Sequence, residues 1–148
     1  MTLPALDGLR AALDVLRAVP RAREQYTAAS DAELLEVTRV VAEFTRLTDA
    51  HTVLAARVIG DRSRPELGAA GLARRQGART PEELLTTTMK VPGREAAAAL
   101  RAGRLTGDDG PFAALADGIE DGSLSTAAVD AVKGGLGDPT GIDEGVFA

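Results

Sequence analysis

Between Ser30 and Gly60 the chain carries neither glycine nor proline, and its apolar positions recur at alternating steps of three and four. Val37, Val40, Phe44, Leu47, His51, Leu54 and Val58 therefore fall on one side of an α-helix, and Leu34, Val41, Thr48 and Ala55 widen that stripe. Ser30-Asp31-Ala32-Glu33 is a start signal. The serine hydroxyl can accept the Glu33 N–H while the Glu33 carboxylate reaches back to the Ser30 N–H. Gly60 reads as the residue just past the helix end. Such a rod is about 45 Å long, so in a chain of 148 residues it has to be the spine for shorter helices. The expected fold is all-α, one long central helix with roughly five or six shorter helices packed on it.

The composition agrees with helix packing. Hydrophobic residues make up 45% of the chain but aromatic ones only 3%, which suits close-packed helices better than strands. The lack of cysteine excludes a disulfide framework, a thiolate zinc site and a cysteine nucleophile. No apolar run approaches the roughly 20 residues needed to span a bilayer, and the first residues lack the apolar stretch of a signal peptide. The expectation is a cytoplasmic protein without a membrane partner.

The net charge of −5 hides a segregation. Residues 57–104 hold ten Arg/Lys against five acids, whereas residues 105–148 hold Lys133 against nine acids. A basic block of this kind can meet phosphates, or it can be a solvated surface laced with ion pairs.

Pro4 to Arg17 reads as a first helix with Leu6, Leu9, Leu13 and Leu16 in its stripe, stopped by Val19-Pro20, and Arg21 to Ala29 as a polar connector. After the spine, a helix is expected from Pro65 to about Gln76, closed by Gly77. Thr80-Pro81-Glu82-Glu83 is a second capping box, and Val91-Pro92-Gly93 separates its helix from an alanine-rich one over Arg94 to Ala102, closed by Gly103. Further helices are expected from Pro111 to Asp121, closed by Gly122, and from Thr126 to Leu136, capped by Ser125. Residues 99–106 and 118–125 share a pattern of glycine, one residue, leucine and Ser/Thr. That is either one unit used twice or ordinary glycine capping. The organisation expected is an N-terminal helix and connector over 1–29, a helical domain over 30–139, and a flexible acidic tail or the start of a downstream segment over 140–148.

No catalytic constellation stands out. His51 is the only histidine and lies in the spine stripe, where a core or interface role is expected together with Val37, Phe44, Leu47 and Leu54. No ligand spacing supports a metal, and no cofactor is implied. Paired acids at 82/83 and 108/109 are accounted for by capping and turn chemistry. The Lys133-Gly134-Gly135 run follows a helix instead of opening one, unlike a phosphate cradle. Thr80 to Gly103 has the length of a helix-turn-helix with basic residues near the second helix. The candidate DNA-contacting residues are Arg74, Arg75, Arg79, Lys90, Arg94, Arg101 and Arg104.

Several short runs, in this order, resemble one family: Asp31-Ala32-Glu33-Leu34-Leu35, Leu72-Ala73-Arg74-Arg75, Thr80-Pro81-Glu82-Glu83-Leu84-Leu85, Arg94-Glu95-Ala96, Gly122-Ser123-Leu124-Ser125 and Gly134-Gly135-Leu136-Gly137-Asp138-Pro139. The stretch resembles the actinobacterial domain of unknown function 222, also called the 13E12 repeat family, over residues 31–139. Where that family tends to have Gly-Val-Ser before Arg-Glu-Ala, this chain has Lys90-Val91-Pro92-Gly93. The family usually stands ahead of an HNH endonuclease domain, so the resemblance implies a module of a nuclease-like protein. With one histidine this chain does not supply an HNH site, so either the chain is a shortened relative or, as is expected, the whole is longer with its nuclease part downstream. The expected function is a non-catalytic helical module that helps bind or position double-stranded DNA for an HNH endonuclease domain. The alternative is an interaction module, a homodimer among the possibilities, built on the spine. The chain itself is not expected to be an enzyme.

Overall fold

The structure is a computed structural model that describes residues 3–106, 117–119, 121–125, 127–129 and 131. Among these residues every regular element is helical, and the fold is all-α. In chain order they form α1 (Pro4–Ala18), α2 (Arg23–Ala28), α3 (Asp31–Asp61), a 3₁₀ helix (Pro65–Ala70), α4 (Leu72–Arg75), α5 (Pro81–Met89) and α6 (Gly93–Leu105). Short helical pieces recur at 117–119 and 127–129. The acidic segment 140–148 and the expected closure at Gly137 lie outside the described residues. No helix among the described residues is long and apolar enough to cross a membrane.

The spine is present as α3, 31 residues and about 46 Å long. Its start follows the capping chemistry. The Ser30 N–H donates to Glu33 Oε2 at 2.8 Å, and the Glu33 N–H donates to Ser30 Oγ at 3.3 Å. Its end does not lie at Gly60. The helix runs one residue further, and a Cβ at Gly60 would sit 3.6 Å from Leu100 Cδ2, so this glycine is a packing position inside the helix.

The chain divides into two compact units, Met1–Val40 and Val41–Ala148, with the division inside α3. In unit 1, α1 has Pro4 in its first turn and ends before Pro20, as the sequence predicts. The expected polar connector instead contains α2, where the Thr27 hydroxyl donates to the Arg23 carbonyl at 3.0 Å. Asp7–Arg10, Asp14–Arg17 and Glu36–Arg39 pair along the helix surfaces. No described residue of unit 1 is buried.

Unit 2 has two buried clusters. Ala50 and Val53 of α3 meet Ala102 of α6 with Ile119 and Val129, and Ala56 meets Leu85 of α5 with Ala96, Ala99 and Leu100 of α6. The buried face of α3 therefore consists of Ala50, Val53 and Ala56. Relative to the expected stripe it is shifted back by one residue, which is about 100° around the helix. Val37, Phe44 and Leu47 are 41%, 42% and 46% exposed, His51 is exposed, and Leu54 is half-buried. A core role is thus corrected for Val37, Phe44, Leu47 and His51. The physical reason is backbone approach. A Cβ on Gly103 would lie 2.8 Å from Arg57 N and 3.0 Å from Arg57 Cα. Helices that meet this closely use the face with the smallest side chains. Gly103 is accordingly inside α6, which continues to Leu105, and does not close it at Ala102.

The segment after the spine also differs from one helix over Pro65 to Gln76. Gly71, extended at φ −62 and ψ 146, separates the 3₁₀ helix from α4, and Gly68, at φ 51 and ψ −127, kinks the 3₁₀ helix itself. Gly77 does close α4, with φ 80. The Ala78 N–H reaches the Ala73 carbonyl at 2.9 Å, and the Gly77 N–H reaches the Arg74 carbonyl at 3.1 Å. Ser63 Oγ accepts the Ala73 N–H at 3.1 Å, and the Arg62 carbonyl accepts the Leu72 N–H at 2.7 Å, fastening α4 to the end of α3. The two resembling stretches near 103 and 122 diverge. Gly103 is helical, whereas Gly122 has φ 75 and ends a helical turn. Glycine capping accounts for the second and close packing for the first.

Candidate nucleic-acid interface

The helix-turn-helix expectation meets α5 and α6 first. Thr80 Oγ1 accepts the Glu83 N–H at 3.1 Å and Pro81 opens α5, but the Glu83 carboxylate takes the Arg79 N–H at 2.8 Å, one residue before the one a capping box would use. Lys90 ends α5 in the left-handed region at φ 56. The second helix buries Ala96, Ala99, Leu100, Ala102 and Gly103, and its exposed positions are Arg94, Glu95 and Arg104. The buried positions share one side of the helix, and the opposite side carries Arg94 and Arg104, both exposed, with Arg101 half-buried between them.

A larger basic group gathers at a cleft. The C-terminal end of α3, the turn behind it, the 3₁₀ helix, α4, the start of α5 and α6 enclose a cleft of about 780 Å³. Arg57, Arg64, Arg74, Arg79 and Arg104 line it, with Asp61 and Glu82 as the acids, five positive charges against two negative. Local turns place some of the arginines and a helix crossing places others. Arg57 faces α6 at the Gly103 crossing, and its Nη1 donates to the Thr106 carbonyl at 2.5 Å. That carbonyl belongs to a buried residue whose own hydroxyl donates to the Gly103 carbonyl at 2.8 Å. Arg64 follows the end of α3, and its Nε donates to the Asp61 carbonyl at 3.1 Å. Arg74 lies in the last turn of α4, and Arg79 follows the closing turn at Gly77. Arg104 is exposed near the end of α6.

Two of the five are thus held by main-chain carbonyls. Among the described residues no carboxylate pairs with the guanidiniums of Arg74, Arg79 or Arg104. The hydroxyls of Ser63 and Thr80 also line the cleft, and each accepts a main-chain N–H, which leaves its own O–H to donate. Apart from its two carboxylates, the polar side chains that line the cleft can all donate to an anion. No aromatic residue lines it, so it offers no stacking surface.

Of the seven expected DNA-contacting residues, Arg74, Arg79 and Arg104 come together here. Arg75, Lys90, Arg94 and Arg101 do not line the cleft. Arg57 and Arg64 are the additions. Both fall in the same basic block of the sequence, but a helix-turn-helix reading directs attention away from the end of α3, where they lie. Among the described residues no group of three or more His, Asp or Glu could hold a metal ion. No family model, no curated protein and no solved structure matches the chain.

Proposed function

We propose that the chain is a non-catalytic helical module that binds nucleic-acid phosphates through the arginine cleft of unit 2. In a longer protein it would help to position DNA for an HNH endonuclease domain, as the resemblance to the domain of unknown function 222 implies. The observation that carries the reading is the convergence of five arginines on one concave surface, none of them paired with a carboxylate among the described residues. Guanidinium groups match phosphate geometry with paired N–H donors, and releasing counterions from phosphates drives association. Contacts to phosphate position a nucleic acid and carry no base sequence information.

The test is a titration of labelled DNA at two salt concentrations. Binding near ~10⁻⁴–10⁻⁶ M is expected, with a log–log salt slope of about −3 to −4 for three or four neutralised phosphates. Arg74→Ala/Arg79→Ala/Arg104→Ala should abolish it, whereas Arg75→Ala/Lys90→Ala/Arg94→Ala should retain most of it. Equal loss in both triple variants would remove the cleft from the reading. A second reading, an interaction module on α3, draws on Val41, Phe44, Leu47 and Val58, large apolar residues of unit 2 that remain exposed. Sedimentation of the intact chain checks it: a dimer that Phe44→Ser dissociates is the outcome it requires.

A further inference from the structure

The shape of the cleft narrows which phosphate it can take. The cleft is concave, with a volume of about 780 Å³, whereas the phosphates inside a duplex line a continuous convex backbone. A duplex therefore meets the cleft from outside, while a strand end can reach into it. Arg57 and Arg64 differ from the other three in being anchored on the Thr106 and Asp61 carbonyls, so their remaining N–H groups are already oriented. Pre-ordered donors lose little freedom on binding, which favours a compact, doubly charged group over a diffuse one. The free O–H groups of Ser63 and Thr80 add donors of the same sense. No aromatic residue lines the cleft, so a base gains no stacking surface there.

We infer that the cleft receives a phosphomonoester dianion carried at the terminus of a nucleic-acid strand, in preference to a phosphodiester inside a duplex. The inference rests on the phosphate-binding reading above and adds the strand end as its substrate class. An end can reach into a concave site that a continuous double helix meets from outside. A terminal phosphate also brings one more negative charge than an internal one to a surface with an excess of three positive charges. A module of this kind recognises the product of strand cleavage, or a strand already broken.

The experiment uses the intact chain and fluorescence anisotropy at low salt. The probes are a single strand with a 5′-phosphate, the same strand with a 3′-phosphate, its unphosphorylated twin, and a covalently closed duplex circle, with inorganic phosphate as a competitor. At least one phosphorylated strand is expected to bind about 10-fold tighter than the twin and the circle, the gain of one strong charge-assisted contact. That preference should disappear in Arg64→Gln, an exposed turn residue outside the core, and in Arg57→Gln once circular dichroism shows its helix content unchanged. Inorganic phosphate should compete only far above the concentration at which the phosphorylated strand does. Equal binding of the phosphorylated strands and the twin overturns the inference while leaving phosphate binding in place, because all probes still bind with a salt slope. Competition by inorganic phosphate at strand-like concentrations overturns the strand end as the source. If no probe binds, the proposed function fails together with the inference.

Discussion

Unit 1 leaves its large apolar side chains uncovered, and unit 2 has the burial. Leu13, Val15 and Leu16 of α1 stay exposed, while alanines at 56, 96, 99 and 102 are almost wholly enclosed. The difference shows what a core requires in a helical chain poor in aromatics. A stripe of leucines defines a face but supplies no opposing surface, and a single helix of 15 residues is marginal in water. Small residues give less area each but let two backbones approach, and many weak dispersion contacts then add up. Unit 1 relies on local devices instead: a capping box and three ion pairs one helical turn apart. Such exposed pairs contribute only a few tenths of a kcal/mol each.

The largest effect expected from this contrast is at leucine. Leu100 is buried in unit 2 against Ala56, Leu85 and Ala96, and Leu100→Ala should cost roughly 2–5 kcal/mol. Leu13→Ala, on exposed α1, should change stability by no more than about 0.5 kcal/mol. Urea unfolding of both variants gives the comparison directly. Similar losses at the two positions would mean that α1 is covered in solution, and the contrast between the units would fall.

Glycine provides the next test, with opposite signs. At Gly103 an added methyl group meets main-chain atoms of Arg57 at 2.8–3.0 Å. Overpacking of that kind costs about 1–3 kcal/mol, against a helix-propensity gain of about 1 kcal/mol. Because the obstructing atoms are backbone, relief requires moving a helix, and Gly103→Ala should be a net loss. At Gly8, inside α1, nothing lies within 4 Å, so Gly8→Ala should gain about 0.5–1 kcal/mol. A stabilised Gly103→Ala would show that α3 and α6 are not in contact there.

The N-cap of α5 provides a smaller effect. Thr80→Ala leaves the Glu83 N–H without its acceptor and should cost about 1 kcal/mol, while the bond from the Arg79 N–H to the Glu83 carboxylate persists. Loss of cleft binding well beyond what this destabilisation explains would sharpen the role of the Thr80 hydroxyl as a donor.

These comparisons also show what the sequence conveys. Helix starts are legible because capping is local chemistry: Ser30, Thr80 and Pro81 all act where their spacing places them. Glycines are ambiguous, since one residue type serves both to end a helix, as at Gly77, and to admit a neighbouring backbone, as at Gly60 and Gly103. Periodicity identifies a face of large apolar residues, but which face is buried is decided by the partner helix. In unit 2 that partner selects the alanine side of α3, one residue away from the stripe that includes Phe44, Leu47 and His51. The cleft is legible only as a charge excess over 57–104. Arg57 and Arg104 meet through the Gly103 crossing, a contact between residues far apart in sequence. Local spacing carries no record of it.

The smallest expected effect is a pH dependence confined to the start of α3. The Ser30 N–H and then the Ser30 hydroxyl, both hydrogen-bonded to the Glu33 carboxylate, hold this carboxyl below the ordinary glutamate range. The sign follows from linkage. A group whose folded pKa is lowered binds protons more readily in the unfolded chain, so its contribution is complete above the ordinary glutamate range and is lost as pH falls through the lowered value. Acidification should therefore fray the first turn of α3 while α6, whose helix start has no such side-chain cap, keeps its helicity. Amide chemical shifts of Ser30 and Glu33 followed through an acid titration measure this, and Glu33→Gln should flatten the curve because its side chain does not titrate in that range. The carboxyl of Asp121 in unit 2, lowered by the side chain and then the N–H of Ser123, should respond in the same direction. A Ser30 shift that stays pH-dependent in Glu33→Gln would assign the local titration to a different acid, and Asp31, the neighbouring carboxylate in the first turn, would be the next residue to replace.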